Sequence, residues 1–198
     1  MARGQAKSAQ MLIFNAFIES QYMKYVITFL ALIFITSLTA QEKVSPVIKN
    51  FGGIYDIPEA TVKPDVTAEY KIVVDVYGGA EDKSKLDASL NNAARMINLH
   101  AVAGEPVESM KIVLALHGQS TYSAMSDAAY KEKFGSNNPN TPLIQELKAA
   151  GVRIAVCGQS LRGRSVQAEQ LLKEVEVATS MLTTVTHYQN QGYMLLKF

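Results

Sequence analysis

Three short apolar runs in this chain end in the same manner at a constant spacing. KIVVDVY gives way to glycine at Tyr77-Gly78, KIVLALH at His117-Gly118 and RIAVC at Cys157-Gly158, each forty residues after the last. Short, continuous, β-branched runs are what strands covered on both faces look like. Parallel neighbours need crossovers of roughly a dozen residues or more, and a forty-residue period leaves room for them. If the three strands are parallel, their C-terminal ends share one rim, the part of an open α/β sheet where ligands bind. The only cysteine of the chain stands on that rim.

The segments between the strands supply the crossovers. Leu86, Leu90, Ala93, Ala94 and Ile97 recur at helical spacing, with Asp82 or Ser84 as cap and Gly104 as stop. Ser126 to Phe134 reads as a short helix closed at Gly135, and Ser136 to Asn140 as a polar capping turn. Thr141-Pro142 opens another helix that Gly151 ends. After Cys157, Ser160 to Leu172 reads as a short helix or turn and Glu174 to Val177 as a small strand. Ala178 to Tyr188 reads as an amphipathic helix, and Tyr193 to Phe198 as a last strand. The order predicts an α/β protein, a three-layer α/β/α sandwich on a mostly parallel sheet of about five strands. The spacing is that of βα units and not of an internal repeat, since the helices do not resemble one another.

The remaining chain divides in three. Residues 1–22 read as a doubtful N-terminal extension, with Met23 the more natural start. Residues 23–40 have the layout of a signal peptide: Lys24, an apolar stretch from Tyr25 to Leu38, and small Ala40 before Gln41. That stretch is shorter than the ~20 residues of a membrane span, so the expectation is cleavage before Gln41, a periplasmic or secreted product and no stable membrane insertion. Residues 41–70 hold Pro46, Pro58, Pro64 and Gly52-Gly53 and read as an irregular arm before a domain at 71–198. A formal net charge of +1 implies no nucleic-acid partner. In an exported chain Cys157 has no intrachain partner for a disulfide.

The rim carries the candidate chemistry. A thiol just ahead of a helix start faces unpaired N–H groups, which favour thiolate over thiol. Cys157 followed by Gly158, Gln159 and Ser160 fits that pattern, with Arg162 and Arg164 as further anion-binding candidates. His117 ends the neighbouring strand ahead of Gly118 and can exchange a proton with Cys157, orient a ligand or simply hydrogen-bond the loop. Tyr77 has the same place on the first strand. The Tyr77-Gly78-Gly79-Ala80 turn lacks G-x-G-x-x-G and a Walker pair, so no nucleotide cofactor is implied. His100, His117, His187 and Cys157 have no paired metal-ligand spacing. Gly118-Gln119-Ser120 is followed by Thr121-Tyr122, not by the glycine of a hydrolase elbow.

The run LIQELKAAGVRIAVCGQSLRGR, with KIVLALHG before it and the closing ATSMLTTVTHYQNQGYMLLKF, resembles the DsrE/DsrF-like family, in particular its exported branch. The resemblance spans about Lys71 to Phe198. It implies an α/β sandwich assembled as a homotrimer or homohexamer. In sulfur-relay members it also implies a cysteine after this strand that carries a persulfide between a donor and an acceptor protein or small thiol. By position that cysteine is Cys157. Two functions follow as expectations: a sulfur carrier or thiol-redox protein using Cys157, or a non-catalytic oligomeric module that binds a small ligand or partner and only packs its cysteine.

Overall fold

The strands form where the apolar runs place them. β1 (Tyr70–Val76), β2 (Met110–Leu116), β3 (Arg153–Cys157), β4 (Glu176–Ala178) and β5 (Met194–Lys197) make one five-stranded sheet in the order β4-β3-β2-β1-β5, every pairing parallel. The register sets Asp75 opposite Ala115 and Lys197, Leu116 opposite Val156, and Cys157 opposite Ala178. The C-terminal ends therefore lie along one rim. The computed structural model describes residues 11, 14, 15, 17–25 and 41–198.

The two faces are covered unequally. Ile72, Val74, Val76, Ile112, Leu114, Leu116, Ile154 and Val156 point to one face. There they pack with α1 (Ala88–Val102), α2 (Asp127–Phe134) and α3 (Thr141–Ala149) through Leu90, Ala93, Ile97, Tyr130, Leu143, Ile144 and Leu147. Burying each large side chain of this set contributes about 1.5–3 kcal/mol, so the fold rests chiefly on this side. On the other face, Val73, Val113 and Ala115 pack with Val185 and Tyr188 of α5 (Met181–Asn190) and with Tyr193.

Several boundaries differ from the expected ones. The cap of α1 is Asp87, which accepts the Ser89 N–H at 3.0 Å, while Asp82 receives the Ser84 N–H in a turn of its own. Distant groups hold Asp87 in place: its own N–H goes to Asn140 Oδ1 (2.7 Å), and Ser123 Oγ donates to its Oδ2 (2.9 Å). Asn138 and Asn140 are buried within this network, so the polar turn braces the fold. Gly118–Ala124 forms a 3-10 segment, an element the sequence does not signal. α4 (Gly158–Gly163) begins directly after Cys157, and α5 begins at Met181 because Ala178 is still paired in β4.

The arm is built into the body formed by residues 43–198. Asn98 of α1 is buried and binds it from both sides. Its Oδ1 accepts the N–H groups of Val47 and Ile48 (3.0 Å each), and its Nδ2 donates to the carbonyls of Ile48, Phe51 and Gly52. Gly52 has φ +62, and a Cβ there would lie 2.5 Å from the α1 backbone at Ala94, so only glycine brings the arm this close.

Residues 1–42 form a separate unit, in which residues 17–25 are helical. The expected signal peptide at 23–40 falls largely on residues 26–40, outside the described ones, as does most of the expected extension. Among the described residues, no helix is long and apolar enough to cross a membrane.

Candidate functional site

The rim gathers one residue from each of three adjacent strands. Strand alternation puts Asp75, Ala115, Ala155 and Cys157 on the face covered by α5. His117 follows β2 directly, and its N–H goes to the Val76 carbonyl at 2.9 Å, continuing the ladder by one residue. One step beyond the pair Leu116 and Val156, His117 and Cys157 occupy neighbouring positions of the same face.

Cys157 is 6% exposed. Burial is the largest single influence on its thiol and pushes the pKa up. Opposing it are a hydrogen bond from the Ser160 hydroxyl and hydrogen bonds from the backbone N–H groups of Met181, Ser160 and Gln159, and together they bring the pKa below its ordinary value. The donors come from two helix starts, α4 and α5. Cys157 occupies the cap position of α4 without a side-chain capping bond. At α5 the cap Ser180 already takes the Thr183 N–H (3.0 Å), which leaves the Met181 N–H for the sulfur.

Gly158 makes this convergence possible. A Cβ there would lie 2.8 Å from the Ala178 carbonyl and 3.4 Å from that of Thr179. Any side chain would push back the β4–α5 connection, and the Met181 N–H with it.

His117 is tied to a partner the sequence reading passes over. Its Nε2 lies 2.5 Å from Asp75 Oδ1, both side chains being mostly buried, and Lys197 Nζ lies 3.7 Å from Asp75 Oδ2. The signal was a lone carboxylate inside KIVVDVY, at a position facing the same side as the residue two further on. The Tyr77 ring lies 5.0 Å from the His117 ring and is half exposed. It crosses Gly118, where φ is +55 and a Cβ would come within 2.5 Å of the ring.

The other expected site residues divide. Ser160 and Gln159 act on the sulfur directly, and the Gln159 side chain reaches the Thr179 carbonyl at 3.4 Å. Arg164 lies over the Tyr122 ring at 5.9 Å and Arg162 is exposed; neither is among the groups that shift the Cys157 thiol. The groups that lower the Cys157 thiol pKa are uncharged donors.

One concavity lies beside the rim and another lies away from it. A groove of about 400 Å³, lined by Tyr55, Ile57, Val62, Leu99 and His100, lies near the start of β1, where His100 meets Tyr70, at the far end of the sheet from the rim. An open cleft of about 370 Å³ runs between β4 and α5; Ala155 and Ala178 form part of it, with Thr183, Thr184 and His187. Ala155 is two residues before Cys157 on the same face, and Ala178 is the register partner of Cys157. Among the described residues, no group of acidic, His and Cys side chains is arranged to hold a metal ion.

A parallel α/β sandwich with a donor-lined cysteine on its rim is the class that fold and site define. A sequence profile of the DsrE/DsrF-like family matches residues 71–198, and the chain belongs to that family. Solved structures similar to it include the MTH1491 protein of Methanobacterium thermoautotrophicum, described as of unknown function. It is 19% identical with a TM-score of 0.49, and the match covers 65% of this chain and 99% of that one. The ychN protein of E. coli is 21% identical with a TM-score of 0.49 and the same coverage. No curated protein matches the chain.

Proposed function

We propose that the protein is an exported sulfur carrier in which Cys157 bears a persulfide. The observation that carries this reading is the sulfur's surroundings: a buried thiol whose pKa is lowered by donors from two helix starts. Burial alone would keep the thiol protonated and inert. The thiolate attacks the outer sulfur of a donor persulfide R–S–SH. The donor's S–S bond breaks, Cys157–S–SH forms, and R–S⁻ leaves with the bonding pair and takes up a proton. In the second half an acceptor thiolate attacks the outer sulfur and Cys157 departs as thiolate. Neither half needs an external oxidant or reductant, and the intermediate is covalent.

Membership of the DsrE/DsrF-like family supports sulfur relay as the broader role. The signal-peptide layout of residues 23–40 supports work outside the cytoplasm. A homotrimer or homohexamer would cover the apolar residues left exposed on edge strand β5, Met194 and Leu195, and on α5, Leu182.

The test is intact mass after treatment with glutathione persulfide. The wild type gains one sulfur atom, a thiol acceptor removes it, and Cys157→Ser gains nothing. An equal gain in the variant refutes the carrier. The low exposure of Cys157 favours the rival reading, a packed cysteine in a binding module, and absence of any gain in the wild type would refute the carrier.

A further inference from the structure

We propose that Asp75 is a positioning residue that fixes the ring of His117, so that His117 handles the protons of sulfur transfer through Nδ1. The chemistry rests on the carrier reading; the positioning itself does not.

Asp75 is costly where it stands. It is 8% exposed, in a strand whose other residues from Ile72 to Val76 are buried and apolar. A carboxylate there is tolerated only with partners. It has two: His117 Nε2 at 2.5 Å on one oxygen and Lys197 Nζ at 3.7 Å on the other. A carboxylate is acceptor-only, so the ring presents Nε2–H to it, and in the neutral ring Nδ1 is then the acceptor. Asp75, His117 and Cys157 thus sit on β1, at the end of β2 and on β3, one on each of three adjacent strands and all on one face. A nucleophile beside a histidine that a buried carboxylate orients is the general pattern of an assisted thiol.

Here the division of labour differs. Ser160, Gln159 and Met181 already favour the thiolate, so His117 is not needed to ionise Cys157. What loading leaves unprovided for is the proton taken up by the departing R–S⁻, and in discharge the proton lost by the acceptor thiol. The imidazolium form of His117 gives its Nδ1 proton to the first, and the neutral ring that results takes up the second at Nδ1, which restores the imidazolium over one cycle. Asp75 acts only through it.

The experiment compares Asp75→Leu, His117→Ala and the double variant. ¹⁵N NMR of the imidazole ring reads the tautomer. In the wild type the neutral His117 is the Nε2–H form, and in Asp75→Leu that preference is lost. Transfer of sulfur from Cys157 persulfide to an acceptor thiol falls about 100-fold in His117→Ala and about tenfold or more in Asp75→Leu. The double variant is no slower than His117→Ala within about twofold, because Asp75 has no other route. Alkylation of Cys157 by iodoacetamide changes by less than about twofold in all three. An unchanged tautomer in Asp75→Leu, or fully additive losses in the double variant, overturns the proposal. Should Asp75→Leu not fold, Asp75→Ala, which also leaves no acceptor for Nε2–H, is read in the same way, and wild-type tautomer and rate in it overturn the proposal. If the wild type takes up no sulfur, the carrier reading falls and the tautomer comparison alone decides the role of Asp75.

Discussion

One face of the sheet is apolar without interruption and lies under three helices; the other is thinly covered by α5 and carries Asp75, His117 and Cys157 toward its rim. The first face holds the fold and the second carries the candidate chemistry. The division is physical: a thick apolar layer leaves no room for polar groups that need partners, while a single helix over the second face leaves its own N-terminal N–H groups close to a strand end. Stability and reactivity should accordingly respond to different substitutions.

The largest expected effect is on the thick side. Leu114→Ala removes a fully buried side chain and costs about 2–5 kcal/mol in urea unfolding, while the folded fraction keeps the wild-type alkylation rate of Cys157. A change in that rate would show the two faces to be coupled. Gly158→Ala joins both sides of the comparison. The new Cβ meets the Ala178 carbonyl, so the variant loses about 1–3 kcal/mol, and retreat of the Met181 N–H raises the thiol pKa. An unchanged pH profile of alkylation would mean that α5 does not act on the sulfur. Ser160→Ala should leave stability almost untouched and still raise the Cys157 pKa, so that alkylation at neutral pH slows several-fold.

The smallest effect is a linkage. Folding lowers the thiol pKa from its ordinary 9.0, so between the two values the folded chain binds fewer protons than the unfolded one. Stability from this source is fully present above the unfolded pKa and is lost as pH falls through the folded value. The difference in unfolding free energy between the wild type and Cys157→Ser should therefore rise with pH toward about 9. A flat difference contradicts the lowered pKa.

How much of this the sequence shows depends on range. The strand ends at Cys157 and His117 are local patterns, as are the parallel sheet they imply, the Gly135 stop and the Ser126 start of α2. The cap at Asp87 is not, because Asn140 and Ser123 that fix it are far along the chain. Asp75 stands in plain view within KIVVDVY, yet its meaning depends on His117 arriving from the next strand. Arg162 and Arg164 are near Cys157 in sequence, but one is exposed and the other lies over Tyr122, so nearness along the chain does not say where their charge goes. The Met181 donor is a backbone group, and no residue identity announces it.

Every functional claim depends on a sulfur that is ionised and reachable in the folded chain. The direct measurement is the pH dependence of iodoacetamide alkylation of native Cys157, followed by intact mass. A single titration with its midpoint below the ordinary thiol value of 9.0 is the expected result. A midpoint at or above that value, or a thiol that stays unlabelled until the protein unfolds, would contradict it.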